Sequence, residues 1–598
     1  MLWSKVADES ATRCCTSATL DIKTVRERSK HEGLSFLTIT LPAFGKDFER
    51  SLELAQVDRR LFAGFQRKAE LPRFLGGFLD LVFDRGTGSL LFDPSVEAIL
   101  AIRQLTLMFG KILVPCSDAR VSRAFDGFVQ CESEVKSSDD KRTFAEVQAF
   151  RRVADVLFGR VLAKLERKLA GSVDSAPYRS LVPKHGPGST ADRLLGNEKY
   201  GQRTWPLRLE RAFPAMDYLV PNEGFGSSLR GVDFCEPGQE RPVRIVAVPK
   251  TLKTPRIIGI EPTAMQYAQQ AVLPMLLDAL NRDDNLSRMI GFDDQTPNQR
   301  MAEYGSMYGT LATLDLSEAS DRVSWQLVRA LFIDYPFLFR AISATRSRKA
   351  DVPGHGTMPL AKYASMGSAL CFPVEAMVFL TLIFLGMEEL NELVTKNVVF
   401  RRSSEVRVFG DDIIVPVDQV RGVISSLTSF GLVVNGRKSF WNGKFRESCG
   451  REYYHGADVS IVRVRRVFPT SHRDAQEVIS IVSLRNQLYF AGYWATVKWL
   501  DDVIRGVIKH FPTVLSSSPV LGRHSFLGYE SQMNDAELHK PLVRGYVVTA
   551  RIPENHLDGP GALLKFFVKQ GGLPSVDEEH LKRSGRPKAV GIKLGWNS

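Results

Sequence analysis

Three aspartates have the spacing to do chemistry. Asp411 and Asp412 follow Gly410 between two β-rich runs, Val406 to Phe409 and Ile413 to Val417. That pattern predicts a hairpin, with Gly410 allowing the tight backbone path. Adjacent carboxylates repel each other, and a divalent cation relieves the repulsion. A merely polar turn is the plain alternative, and the tripeptide alone does not decide. A third carboxylate, Asp315, ends the apolar run that begins at Leu311, after which Val323, Leu327, Ala330 and Leu331 turn the pattern helical. Asp315 is thus expected at the end of a buried strand, where structure alone explains it poorly. Asp321 falls near the helix start, where it could be no more than an N-terminal charge.

Cations accompany these acids. Arg244, Lys250, Lys253 and Arg256 lie in a stretch that reads as strand, basic turn, strand. Several could converge at one end of that ribbon, as a triphosphate requires while charge moves onto pyrophosphate. A solvated basic edge strand fits equally well. Lys184 and His185 sit in a Gly- and Pro-rich loop that could face phosphate, His185 as a loop hydrogen-bonder. Val462 to Val467 reads as a basic strand, with Arg463 and Arg465 on one face and Arg466 beside them. It invites RNA or is a solvated face. Met366, Gly367 and Ser368 precede an apolar helix. Small residues there admit a nucleotide backbone, or simply cap the helix.

These groups need elements to hold them. The 598 residues can bury a large core and divide into subdomains. An apolar fraction of 44% and a charged fraction of 24% are ordinary for a globular protein, and the net charge of +12 favours a polyanionic partner. The seven cysteines are scattered without a C-x-x-C pair, which argues against a zinc site or a disulfide framework and suits a reducing compartment. No signal peptide is expected. Ala376 to Met387 is strongly apolar but too short for a bilayer, so a buried core helix is expected. The region from Phe48 to Ala170 reads as mostly helical, with Glu132 to Arg142 a charged connection. Arg346 to Met358 reads as a basic loop and Val420 to Phe430 as an amphipathic helix. The remainder from Pro469 reads as helical, with a basic arm at Lys582 to Lys588.

The order of these motifs resembles a known family. Asp315-Leu316-Ser317-x-Ala319-Ser320-Asp321, Met366-Gly367, Phe409-Gly410-Asp411-Asp412 and Phe445-Arg446-Glu447-Ser448-Cys449-Gly450 together resemble the replicase β subunit of the positive-strand RNA bacteriophages, the leviviruses. The resemblance covers about residues 180 to 470. It implies an α+β right-hand polymerase of fingers, palm and thumb, the palm an antiparallel sheet backed by helices. The implied divisions are 1–180, an N-terminal helical region bridging fingers and thumb; 181–305, fingers with the ribbon 244–262; 306–470, palm, with a fingers insertion at about 340–365; and 471–598, thumb and tail. The implied activity is RNA-directed RNA synthesis from NTPs in the cytoplasm of the bacterial host. Asp315, Asp411 and Asp412 would hold two magnesium ions, replaceable by manganese. Lys438 would protonate pyrophosphate, though neighbouring Arg437 competes for that assignment. Lys250, Lys253, Arg256, Asp321, Gly367 and Ser368 would bind the nucleotide, and Lys184, Arg463, Arg465 and Arg466 the RNA. Ser368 stands where the family commonly has Asn and offers one donor for two, which bears on ribose selection. Partners implied are template RNA, host elongation factors Tu and Ts, and a host ribosomal protein, with no membrane. A reverse transcriptase and a non-catalytic RNA-binding protein with a decayed palm are the competing readings.

Overall fold

Two apolar cores organise the chain in the computed structural model, which describes residues 1–171, 177–178, 180–388, 393–551, 559–570 and 589–598. One core runs from Phe150 to Leu564 and surrounds the carboxylate-bearing sheet. The other joins residues between Leu2 and Ile112 to residues between Phe440 and Phe511, elements far apart in sequence.

The N-terminal part is helical: α1 Leu2–Arg13, α2 Leu41–Leu54, α3 Val96–Leu107, α4 Asp118–Lys141 and α5 Phe144–Ala170. Thr143 starts α5 with a reciprocal cap. Its hydroxyl accepts from the Glu146 amide, and the Glu146 carboxylate accepts from the Thr143 amide. The ribbon follows as β1 Val243–Val248 and β2 Arg256–Ile260, antiparallel. Next come β3 Leu311–Ser317, the hairpin β4 Lys349–Val352 and β5 Gly356–Pro359, and helix α6 Cys371–Glu388. After these are β6 Arg407–Phe409, β7 Asp412–Pro416, α7 Val420–Ser429, β8 Val433–Val434 and the hairpin β9 Phe445–Ser448 with β10 Arg451–Tyr454. Helices α8 Ala475–Phe490 and α9 Trp494–Val507 precede two long paired strands, β11 Pro541–Arg551 and β12 Ala589–Asn597.

Two four-stranded sheets matter for the site, in orders β6-β7-β3-β8 and β2-β1-β4-β5. The first is antiparallel throughout and is backed by α6 and α7, with α5 packed on α6. The α+β class is therefore what the structure has.

Several expectations need correction. Glu132 to Lys141 is the C-terminal part of α4, not a connection. Phe125, Phe128, Cys131, Glu132 and Val135 are its buried residues, and the polar majority faces outward. Arg346 to Met358 is largely the β4–β5 hairpin, extending the basic ribbon into a sheet. Val462 to Val467 is not a strand. Val462 and Val464 are buried in the second core, and the segment bonds to residues 104–113 without forming a ladder. The C-terminal part contains the β11–β12 sheet, whose pairing spans too much sequence to show as local alternation. Lys582 to Lys588 lies outside the described residues. Helix α6 runs 18 residues, more than the apolar stretch suggested, and by length and composition could cross a membrane. It is 89% buried inside the molecule, which is the position of a core helix.

Candidate active site

Strand pairing brings the carboxylates together. Phe409 pairs with Asp412 across a two-residue turn of Gly410 and Asp411, and Asp412 pairs with Asp315 across the next ladder. Residues directly opposite in an antiparallel ladder share a face. Gly410 has φ +59, and a Cβ there would lie 2.7 Å from the Phe372 ring at the start of α6. The turn therefore requires glycine twice over, for its backbone and for its floor.

Asp315 lies inside β3, two residues before its end, and not at the tip. Its Oδ1 accepts from Lys438 Nζ at 2.9 Å and its Oδ2 from Asn435 Nδ2 at 2.9 Å. Burial raises its pKa, Lys438 opposes that, and Asp411 adds to it. Burial pushes Asp412 up to about 7, with Asp411, Glu447 and Asp315 contributing, while the Cys449 amide, donating to Oδ2 at 3.1 Å, pulls the other way. Excess negative charge gathers at this spot.

The hairpin β9–β10 is the support. Arg446 is fully buried and donates to the carbonyls of Leu311, Gly443 and Phe445 at 2.6 to 2.7 Å, fastening the start of β3. Burial lowers its pKa to about 10. Glu447 is held well below the usual carboxylate range by Lys46, Lys438, Arg103 and Arg463, despite its burial. Behind it Arg103, with no exposure, pairs with Glu49 at 3.0 Å and Glu452 at 2.6 Å. The sequence reading gave the Phe-Arg-Glu-Ser-Cys-Gly stretch no role. Its parts fasten β3, answer Lys438 and hold Asp412.

The basic ribbon reaches the same place by one end only. Lys250 feels Arg256, Lys438, Asp411 and Asp315, and its pKa is lowered chiefly by burial. Lys250 and Arg256 line a cavity of about 390 Å³ with Lys111, Arg465 and Arg466. Burial and the neighbouring Arg463 lower Lys111 to about 8. Lys253 faces elsewhere. It lines a second cavity, of about 330 Å³, with Arg120 and Arg123. Arg244, at the far end of β1, is some six residues from Lys250, roughly 20 Å along a strand. The ribbon's four cations do not converge.

The remaining candidates divide. Arg463 donates to the Leu107 carbonyl and pairs with Glu452 at 3.3 Å, so its donors are engaged internally. Arg466 pairs with Glu477 at 3.1 Å, and Arg465 is exposed. Lys184 is exposed and has no hydrogen bond or ion pair with the carboxylate group among the described residues. His185 is no hydrogen-bonder through its ring. Both ring nitrogens are buried without a partner, and the ring stacks on Tyr267 at 4.3 Å. Gly367 has φ +120, and a Cβ there would lie 2.1 Å from the Gly259 carbonyl oxygen. What approaches it closely is the backbone of β2, to which Met366 is bonded through the Gly259 amide at 2.9 Å. Ser368 is buried and its amide donates to Ser365. Asp321 sits in a short 3-10 turn, and its Oδ1 accepts from Lys362 at 2.6 Å. Sequence reasoning missed Asn435, Lys111 and Lys362, each an ordinary polar residue marked out only by what the fold sets beside it.

Among the described residues no three acidic, imidazole or thiol groups form a ready-made cation cage. The donor set nonetheless fits a hard divalent cation. It consists of carboxylate oxygens, with burial and then the neighbouring carboxylates raising the pKa values of Asp315 and Asp412, and one ammonium, Lys438, opposing the rise at Asp315. Asp315, Asp411 and Asp412 are the residues able to hold one.

Comparison with known proteins bears on the same segment. Residues 215–504 match the family described as RNA replicase, beta-chain. The RNA-directed RNA polymerase subunit beta of Qbeta virus (strain MX1) is 32% identical over 342 residues, 56% of this chain and 52% of that protein. The RNA-directed RNA polymerase beta chain of Enterobacteria phage fr is 33% identical over 303 residues, 50% of this chain and 49% of that protein. The chain thus spans about half the length of the curated relatives it matches. A solved RNA-dependent RNA polymerase of a human picobirnavirus is 13% identical over 44% of this chain and 55% of its own, with a TM-score of 0.33. The matched segment contains the ribbon, the three aspartates and the β9–β10 hairpin.

Proposed function

We propose that this chain is an RNA-directed RNA polymerase that copies a positive-strand phage RNA from NTPs. The observation that carries the reading is the register of Asp412 opposite Asp315, with Asp411 in the adjoining turn and Lys250 within electrostatic reach. Magnesium bound by Asp315, Asp411 and Asp412 would lower the pKa of the primer 3′-hydroxyl and neutralise the triphosphate, in the manner of a two-metal site.

The chain's own residues do the rest. Lys250 and Arg256, joined by Lys111 and Arg465 around their cavity, hold triphosphate oxygens as negative charge moves to the leaving group. Lys438 carries a proton at Nζ beside Asp315 and gives it to pyrophosphate. Asp321 accepts from the ribose 2′-hydroxyl, the group that tells RNA precursors from DNA ones. Gly367 and Ser368 keep the floor close to β2. In this reading residues 306–470 are palm, 181–305 fingers, 471–598 thumb, and 1–180 the bridge. Template RNA, the host elongation factors and a host ribosomal protein are the proposed partners.

The test is Asp411→Asn, which keeps shape and removes one charge. RNA extension should fall by several orders of magnitude, while filter binding of RNA and the melting midpoint hold. Extension near the wild-type rate by the folded variant would overturn the reading and favour a decayed palm.

A further inference from the structure

A buried lysine stands behind Asp321. Lys362 has a fully buried side chain, yet it is charged, because Asp321 and Glu132 raise its pKa against burial. Its ammonium donates to Asp321 Oδ1 at 2.6 Å, lies 3.3 Å from Glu132 Oε1 and sits 3.6 Å above the Phe128 ring. Glu132 is fixed in turn, its Oε2 accepting from the Ala361 amide at 2.8 Å. Three parts of the chain meet here: α4 supplies Glu132 and Phe128, the segment after β5 supplies Lys362, and the turn after β3 supplies Asp321. The segment is itself bonded to that turn, Tyr363 amide to Val323 carbonyl at 2.7 Å and Trp325 amide to Ala361 carbonyl at 2.9 Å.

A buried ammonium is costly unless paired, and its donors have fixed directions. Glu132 offsets its charge, so the trio keeps one net negative charge, at the one carboxylate that still reaches solvent. Asp321 is 20% exposed at its side chain, whereas Lys362 and Glu132 are 0% and 4% exposed. One Asp321 oxygen is held, and no hydrogen bond to the other occurs among the described residues. That leaves an acceptor of set direction at the site's edge. Burial raises the pKa of Glu375, and Asp411 and Asp321 both add to the rise, which puts Asp321 near the carboxylate hairpin.

We infer that Lys362, fixed by Glu132 and Phe128, is a positioning residue that aims Asp321 at the sugar hydroxyl of the incoming nucleotide and so determines ribose selection. This rests on the polymerase reading. Asp321 selects, and Lys362 acts only through it.

The experiment measures the ratio of NTP to dNTP incorporation. Lys362→Gln with Glu132→Gln removes both buried charges together, so neither is left unpaired. The ratio should fall about tenfold, the worth of one well-aimed hydrogen bond, toward that of Asp321→Ala. Adding the two substitutions to Asp321→Ala should lower the ratio no further, because residues acting through one group are not additive. If the double variant melts early, Lys362→Arg keeps the charge, moves the donors and should lower the ratio likewise. An unchanged ratio in a folded variant, or a further fall on the Asp321→Ala background, overturns the inference. Failure of the wild-type chain to extend RNA with NTPs would instead sink the polymerase reading.

Discussion

At the scale of single residues, side chains that resemble one another answer different demands. Asp411 is exposed in the turn, while Asp412 is half-buried and held by the Cys449 amide. Asp411→Asn should therefore lose most activity, with Asp412→Asn retaining a trace in an extension assay. Asp321→Ala should relax sugar choice more than it weakens template binding; an unchanged NTP-to-dNTP ratio at normal turnover would remove Asp321 from that role. His185 answers to pH. Its folded pKa is lowered to about 3 by burial, below the ordinary 6.5. The unfolded chain binds the proton more readily, so stability falls as pH drops below about 6.5 and stops falling near 3. At pH 5 the loss is about 2 kcal/mol. His185→Phe keeps the stack on Tyr267 and should flatten this limb in melting curves taken between pH 7 and 5.

Elements show why some of this was legible and some not. The hairpin β6–β7 could be read because two β-rich runs flank a glycine, and strand alternation is local. The ribbon β1–β2 was legible for the same reason. Its divergence was not, because which cations share a cavity depends on Lys111 and Arg465 arriving from other elements. The segment 462–467 misled because valines alternate with arginines there; burial of Val462 and Val464 made the pattern, without a ladder. Gly367 drew attention as a place for a nucleotide backbone, and what lies against it is the protein's own β2. Gly367→Ala should cost about 3 kcal/mol, from strain and the clash with Gly259, read as a lower melting midpoint. Between α2, α3 and β10, Arg103→Met should cost about 3 kcal/mol, since it takes the shared cation from two buried carboxylates and leaves Glu49 with Lys46 alone and Glu452 with Arg463 alone.

For the whole molecule, charge and assembly set the expectations. A net charge of +12 predicts that RNA affinity falls steeply with salt, each phosphate contact adding a slope of about 0.7 in log affinity against log salt for single strands. Filter binding across a salt series checks this, and a flat response would exclude a basic groove. The host elongation factors should co-purify, and activity or solubility should drop without them; a fully active, monodisperse chain made alone would contradict that. The second core carries a consequence in time. Glu9 of α1 accepts from the Ala495 and Thr496 amides at the start of α9, both at 3.0 Å, across 486 and 487 residues. A ribosome adding about 5–20 residues each second needs on the order of half a minute to a minute and a half between the two. For that interval α1, α2 and α3 have only one another to pack on, because α9 and the rest of the second core have not yet been made. The nascent chain must pass its longest exposure to aggregation and to proteases before the first helix finds its seat.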